Sequence, residues 1–149
     1  LVDEIALLRQ VYVKASKRMP FKTVAICVLS DHLHAIWELP EDDHDYSQRW
    51  ALIKSLFSRA LSAAASVSTS KVRKREKGIW QQRFWEHLIH DERDYARHFD
   101  YLHGNPLKHG LVTRVGDWPW SSFHRWVKEG IYPVDWGGDA SLDELGVGE

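Results

Sequence analysis

One cysteine in 149 residues excludes an internal disulfide, and without any Cys-x-x-Cys pair it excludes a thiolate zinc cluster as well. Cys27 sits in an apolar run and reads as a small buried hydrophobe. No apolar stretch approaches the roughly 18 residues that mark a membrane-spanning helix. No basic-then-apolar leader opens the chain, which begins at Leu1 rather than Met. With the lone thiol, this predicts a reducing, cytoplasmic setting. Internal repeats and a clear domain boundary are also absent, so one domain is expected.

What the chain does have is an uneven charge. Lys and Arg number 20 against 21 Asp and Glu, a net −1. Five of those carboxylates, Asp135, Asp139, Asp143, Glu144 and Glu149, lie in residues 135–149 with no basic partner, which leaves +4 on residues 1–134. A basic body with an acidic tail suits a polyanionic partner, and equally a solvated mixed surface. The densest basic cluster is Lys71, Arg73, Lys74, Arg75 and Lys77, in a Ser-rich stretch ending at Gly78. It is either a solvated loop or a grip on nucleic-acid phosphates.

Apolar spacing predicts helices over residues 1–17 and 46–65, the second presenting Trp50, Ile53, Leu56, Phe57, Ala60 and Leu61 on one face. Residues 22–29 and 33–39 read as strands joined at Ser30-Asp31, and residues 83–89 as a further strand. Asp91 is a good N-cap with Glu92 and Asp94 behind it, so a helix is expected over 92–103, stopped by Gly104, Asn105 and Pro106. A short helix or turn should run from about Trp118 to Lys128. The order of elements indicates an α+β sandwich with an antiparallel sheet.

Two places could carry chemistry. His32 and His34 flank Leu33 next to an apolar strand. On a strand, side chains two apart share a face, so the imidazoles would form half of a divalent-metal site and Leu33 would turn inward. The ordinary alternative is a pair of surface or hydrogen-bonded core histidines. Tyr101 and Asn105 stand four apart near the end of the helix that Asp91 starts, the third helical pattern, hence on one face. They read either as a phenol nucleophile beside an amide-oxygen metal ligand, or as a core tyrosine and a capping asparagine. Eight tryptophans are many; Trp80 and Trp85 flank Gln82 and Arg83 and could stack unpaired bases, with packing the commoner role.

Three blocks resemble the REP-associated tyrosine transposases of the HUH single-strand nuclease superfamily. They are His32-Leu33-His34, then Gly78-Ile79-Trp80-Gln81-Gln82-Arg83-Phe84-Trp85-Glu86-His87, then Tyr101-Leu102-His103-Gly104-Asn105-Pro106-Leu107-Lys108-His109-Gly110-Leu111-Val112. The last two, in this order, are the specific ones. The resemblance runs over residues 1–136, with 137–149 as an acidic tail. It implies a ferredoxin-like α+β fold with helices on one face of an antiparallel sheet, and a strand before the first helix that this chain starts after. It also implies a bacterial, nucleoid-associated enzyme that nicks and rejoins single-stranded DNA near palindromic repeat hairpins. By residue, His32 and His34 match the metal-binding pair, Asn105 the polar residue that helps hold magnesium or manganese, and Tyr101 the nucleophile of a 5′-phosphotyrosine link. Lys71, Arg73, Lys74, Arg75, Lys77 and Arg83 would contact DNA, and a monomer is expected, with a dimer as the alternative. A non-cutting nucleic-acid-binding protein on the same fold, and a water-using hydrolase of another phosphodiester such as RNA, are the alternatives.

Overall fold

In a computed structural model of the chain, which describes residues 1–65, 80 and 84–137, the apolar run becomes strand β1 (Lys22–Val28). It pairs with β2 (Leu33–Glu38). A tight turn closed by the Leu29 N–H on the His32 carbonyl (2.8 Å) joins them, which makes the pair antiparallel. The other edge of β1 is covered too: the Val28 N–H donates to Trp120 O and the Ser122 N–H to Ile26 O, both at 2.8 Å, around an antiparallel bridge between Cys27 and Ser121. The expected third strand does not form. Residues 84–90 are irregular. Their aromatic and aliphatic residues suit a strand, but Trp85 and His87 are instead engaged by ring stacking with His98, and His87 is bonded to Asp94. A side-chain scaffold of that kind takes the place of a ladder. The extended partner of β1 comes from Trp120–Ser122, which the sequence pattern assigned to a helix or turn.

By internal contacts the chain divides into two compact units. The first comprises Leu1, Asp3–Lys22 and Glu38–Phe84. In it α1 (Ile5–Arg18) packs on α2 (Tyr46–Ala65), burying Leu8, Val11 and Ala15 of one and Ile53, Leu56 and Phe57 of the other. These are the i, i+3, i+4, i+7 positions of amphipathic helices. Arg49 of α2 is 1% exposed yet fully satisfied: its guanidinium donates to both Asp43 carboxylate oxygens (3.0 and 2.6 Å) and to the Pro20 and Asp45 carbonyls. A buried charge is tolerated only with such pairing.

The second unit holds Val2, Thr23–Trp37 and everything from Trp85 onward. Its helix α3 (Glu92–Lys108) starts as expected, with Asp91 Oδ1 accepting from the Asp94 N–H at 2.8 Å. It does not stop at Gly104. Gly104, Asn105 and Pro106 are buried inside the helix. Pro106 costs one hydrogen bond, but burial of Leu102 through Pro106 outweighs local propensity. The true stop is Gly110, at φ 66°. There the Leu111 N–H reaches Pro106 O (2.9 Å) and the Gly110 N–H reaches Leu107 O (3.0 Å), the Schellman pattern of a glycine-terminated helix.

The core of this unit joins one face of β1 (Ala25, Cys27) and Leu29 to Phe99 and Leu102 of α3, Val115, Tyr132, and Phe123 of α4 (Phe123–Lys128). Burial pushes the Cys27 thiol up to about 12, so it is the inert hydrophobe expected. A polar thread crosses this core. The Ile26 N–H donates to Ser122 Oγ (2.9 Å), Ser122 Oγ meets His103 Nε2 (2.8 Å), and His103 Nδ1 meets Phe99 O (2.9 Å). Burial lowers His103 to about 4, so the ring is neutral, with Nδ1 donating and Nε2 accepting from the serine.

Candidate active site

The two-residue period of β2 places His32, just ahead of the strand, and His34 within it side by side, with ring centroids 5.1 Å apart. Leu33 between them is half-buried. From α3, Tyr101 packs edge-on against His34 (5.8 Å between centroids), and just past the end of the helix His109 packs edge-on against His32 (5.5 Å). Asn105, one turn after Tyr101, is fully buried. The four residues named from sequence thus lie in one unit, on a strand and the helix beside it. Extension of α3 past Gly104 keeps Asn105 in helical register with Tyr101.

Three polar atoms here are buried without a hydrogen-bond partner: His32 Nε2, His34 Nε2 and Asn105 Oδ1. Each such group costs about 1–3 kcal/mol if left unsatisfied, so together they offer three acceptor atoms to a bound cation or water. Local bonding aims them. The Asp31 carboxylate accepts from His32 Nδ1 at 2.7 Å, which fixes the tautomer with a lone pair on Nε2. The side-chain amide of Asn105 donates from Nδ2 to the Tyr101 carbonyl (3.4 Å), which orients Oδ1 as the free acceptor. Burial, reinforced by the neighbouring His32, His109 and Lys108, lowers His34 to about 4, so this ring is a neutral imidazole. Two imidazole nitrogens and one amide oxygen fit a divalent cation. His32 in turn holds Asp31 below the usual carboxylate range by hydrogen bonding.

Tyr101 is 4% exposed. Its hydroxyl is reached by Lys108 Nζ at 3.4 Å, and the same ammonium lies 4.8 Å from the ring centroid. Lys108 and His109 are exposed and form the solvent side of the site. Neither was singled out for this role from sequence; the available signal was the seven-residue spacing of Tyr101 and Lys108, two turns along one helical face.

The candidate DNA contacts Lys71, Arg73, Lys74, Arg75, Lys77 and Arg83 lie outside the described residues. Of the two tryptophans, Trp80 packs edge-on against Phe57 (5.5 Å), whereas Trp85 is 53% exposed. A second grouping of metal-ligating side chains, His87, Asp94 and His98, lies at the start of α3. None of the described helices is long and apolar enough to cross a membrane.

Comparison with known proteins decides the family. The chain is 44% identical over 141 residues to the REP-associated tyrosine transposase of Escherichia coli K12, covering 95% of this chain and 78% of that protein. It is 50% identical over 143 residues to a Haemophilus influenzae protein given the same name provisionally, covering 95% and 81%. The chain belongs to the REP-associated tyrosine transposases. A solved structure of a REP-associated tyrosine transposase bound to a REP hairpin superposes with a TM-score of 0.85 at 43% identity, over all of this chain and 81% of that one. No protein-family model matches the chain. The α+β class read from the order of helices and strands agrees with that superposition.

Proposed function

We propose that this transposase nicks and rejoins single-stranded DNA beside REP-type hairpins, with Tyr101 as nucleophile and His32, His34 and Asn105 as the metal-binding set. The observation that carries the reading is the trio of partnerless buried atoms, His32 Nε2, His34 Nε2 and Asn105 Oδ1, on residues beside Tyr101. A bound magnesium or manganese ion would neutralise charge on the scissile phosphate. Asp31 holds His32 in the tautomer that offers Nε2, and Asn105 is held by its bond to the Tyr101 carbonyl. Tyr101 Oη attacks phosphorus, the bond to the 3′ oxygen breaks, and a 5′-phosphotyrosine and a free 3′-hydroxyl result. The phenol gives up its proton as the ester forms, and the departing 3′ oxygen takes one up. The Lys108 ammonium favours negative charge on the phenol oxygen in both directions of the reaction. The ester keeps the energy of the broken bond, so rejoining needs no nucleotide.

Lys71, Arg73, Lys74, Arg75, Lys77 and Arg83 supply the phosphate contacts in this account. The protein acts as a monomer in the bacterial cytoplasm, its catalytic domain spanning residues 1–136 with an acidic extension after it. Tyr101→Phe is the direct test. Nicking of a single-stranded hairpin substrate should fall by at least about a thousandfold, as expected for loss of a nucleophile, with hairpin affinity retained. Full nicking by the Phe variant would refute the assignment.

A further inference from the structure

The start of α3 carries a second constellation that the chemistry at Tyr101 leaves unused. His87 comes from the irregular segment 84–90, Asp94 from the first turn of α3 and His98 from the next turn. One candidate ligand atom from each lies within 4.8 Å of the others. His87 Nε2 stands 2.8 Å from Asp94 Oδ2, and His98 Nδ1 stands 3.0 Å from Asp94 Oδ1. The two imidazole rings are nearly parallel with centroids 4.3 Å apart, and the Trp85 ring lies parallel to both at 5.7 and 5.9 Å.

We infer that His87, Asp94 and His98 form a second metal site, selective for a transition-metal dication such as zinc. Two imidazoles and one carboxylate are a donor set for zinc, cobalt or nickel, whereas magnesium prefers oxygen ligands and retained water. His98 Nδ1 is the nitrogen that faces Asp94 Oδ1; it also reaches the Asp94 carbonyl at 2.9 Å, a contact it would give up to a cation, and the His90 N–H holds Asp94 Oδ2 at 3.0 Å. The side chains are 32%, 21% and 15% exposed, so water can complete the coordination. On binding, the His87 ring would carry its single proton on Nδ1 and turn the Nε2 lone pair from Asp94 to the cation. The ion would clip segment 84–90, including Trp85, to the first turn of the helix that carries Tyr101. Asp94 and Asn105 are eleven residues apart on α3, about 16 Å at 1.5 Å per residue. A single ion cannot serve both places.

The experiment titrates cobalt(II) into the metal-stripped full chain and reads its visible ligand-field absorption and calorimetric stoichiometry. His34→Ala disables the set beside Tyr101 and isolates the proposed site. That variant should still bind one cobalt per chain, displaced by one equivalent of zinc and resistant to a thousandfold excess of magnesium. Adding His98→Ala to it should abolish binding, and so should adding His87→Gln, a change in the irregular segment that serves if the helical variant fails to fold. No cobalt binding by His34→Ala, or cobalt binding that survives these added changes, would overturn the site. The readout involves no DNA cleavage, so its failure is distinct from failure of the Tyr101 assignment.

Discussion

Lys108 Nζ lies 3.4 Å from the Tyr101 hydroxyl and 4.8 Å from the centre of its ring, two helical turns further along α3. In the proposed mechanism an ammonium there would stabilise charge on the phenol oxygen when it attacks and when it leaves. Lys108→Gln should therefore slow both nicking and rejoining by about ten- to a hundredfold, corresponding to roughly 1.4–2.7 kcal/mol of barrier. Single-turnover assays on a hairpin substrate would show the loss in rate rather than in affinity. An unchanged rate would remove the lysine from the chemistry.

Asn105 Oδ1 is buried without a partner, and the single bond from Nδ2 is long at 3.4 Å. In metal-free protein Asn105→Ala forfeits little hydrogen bonding, so its thermal midpoint should drop only modestly. The wild-type chain should gain stability on adding manganese, because a ligand that binds only the folded state stabilises it by mass action. The variant should lose most of that gain. Paired melts with and without manganese measure both quantities.

His103 is neutral inside the core, with its pKa lowered to about 4 from an ordinary 6.5. The unfolded chain binds the extra proton first. The stability this ring contributes is therefore present in full above about pH 6.5 and falls as pH drops toward 4. At pH 5 the loss relative to neutral pH should be about 2 kcal/mol. Urea denaturation of His103→Gln, which cannot titrate, should show a pH 7-to-5 loss smaller by that amount. An identical pH dependence in variant and wild type would contradict the buried neutral assignment.

Local signals were legible wherever local and tertiary preferences coincide. The helix read over residues 46–65 is α2 itself, and Asp91 caps α3 because Asx geometry is decided within four residues. The His32/His34 pairing follows from strand period alone. Two readings failed where packing decides. Gly104 and Pro106 look like a stop, but both are buried in α3, and Gly110 ends it instead. Residues 84–89 have strand composition, yet a stack of Trp85, His87 and His98 holds them outside any sheet. The approach of His87 to Asp94 and His98 was hidden for the same reason: a residue expected in a strand meets an i, i+4 pair only once that strand is absent. Lys108 was passed over because nothing local in the sequence distinguishes it from any exposed lysine at a helix end.

The most direct test of the central claim is to trap the covalent link. The chain is incubated with a single-stranded REP-type hairpin and manganese, denatured, digested, and the DNA-bearing peptide identified by mass spectrometry. The account predicts a 5′-phosphate ester on Tyr101, absent when the metal is chelated and absent in His34→Ala. An adduct on another residue such as Tyr95 or Tyr132, or efficient nicking with no adduct at all, would contradict it.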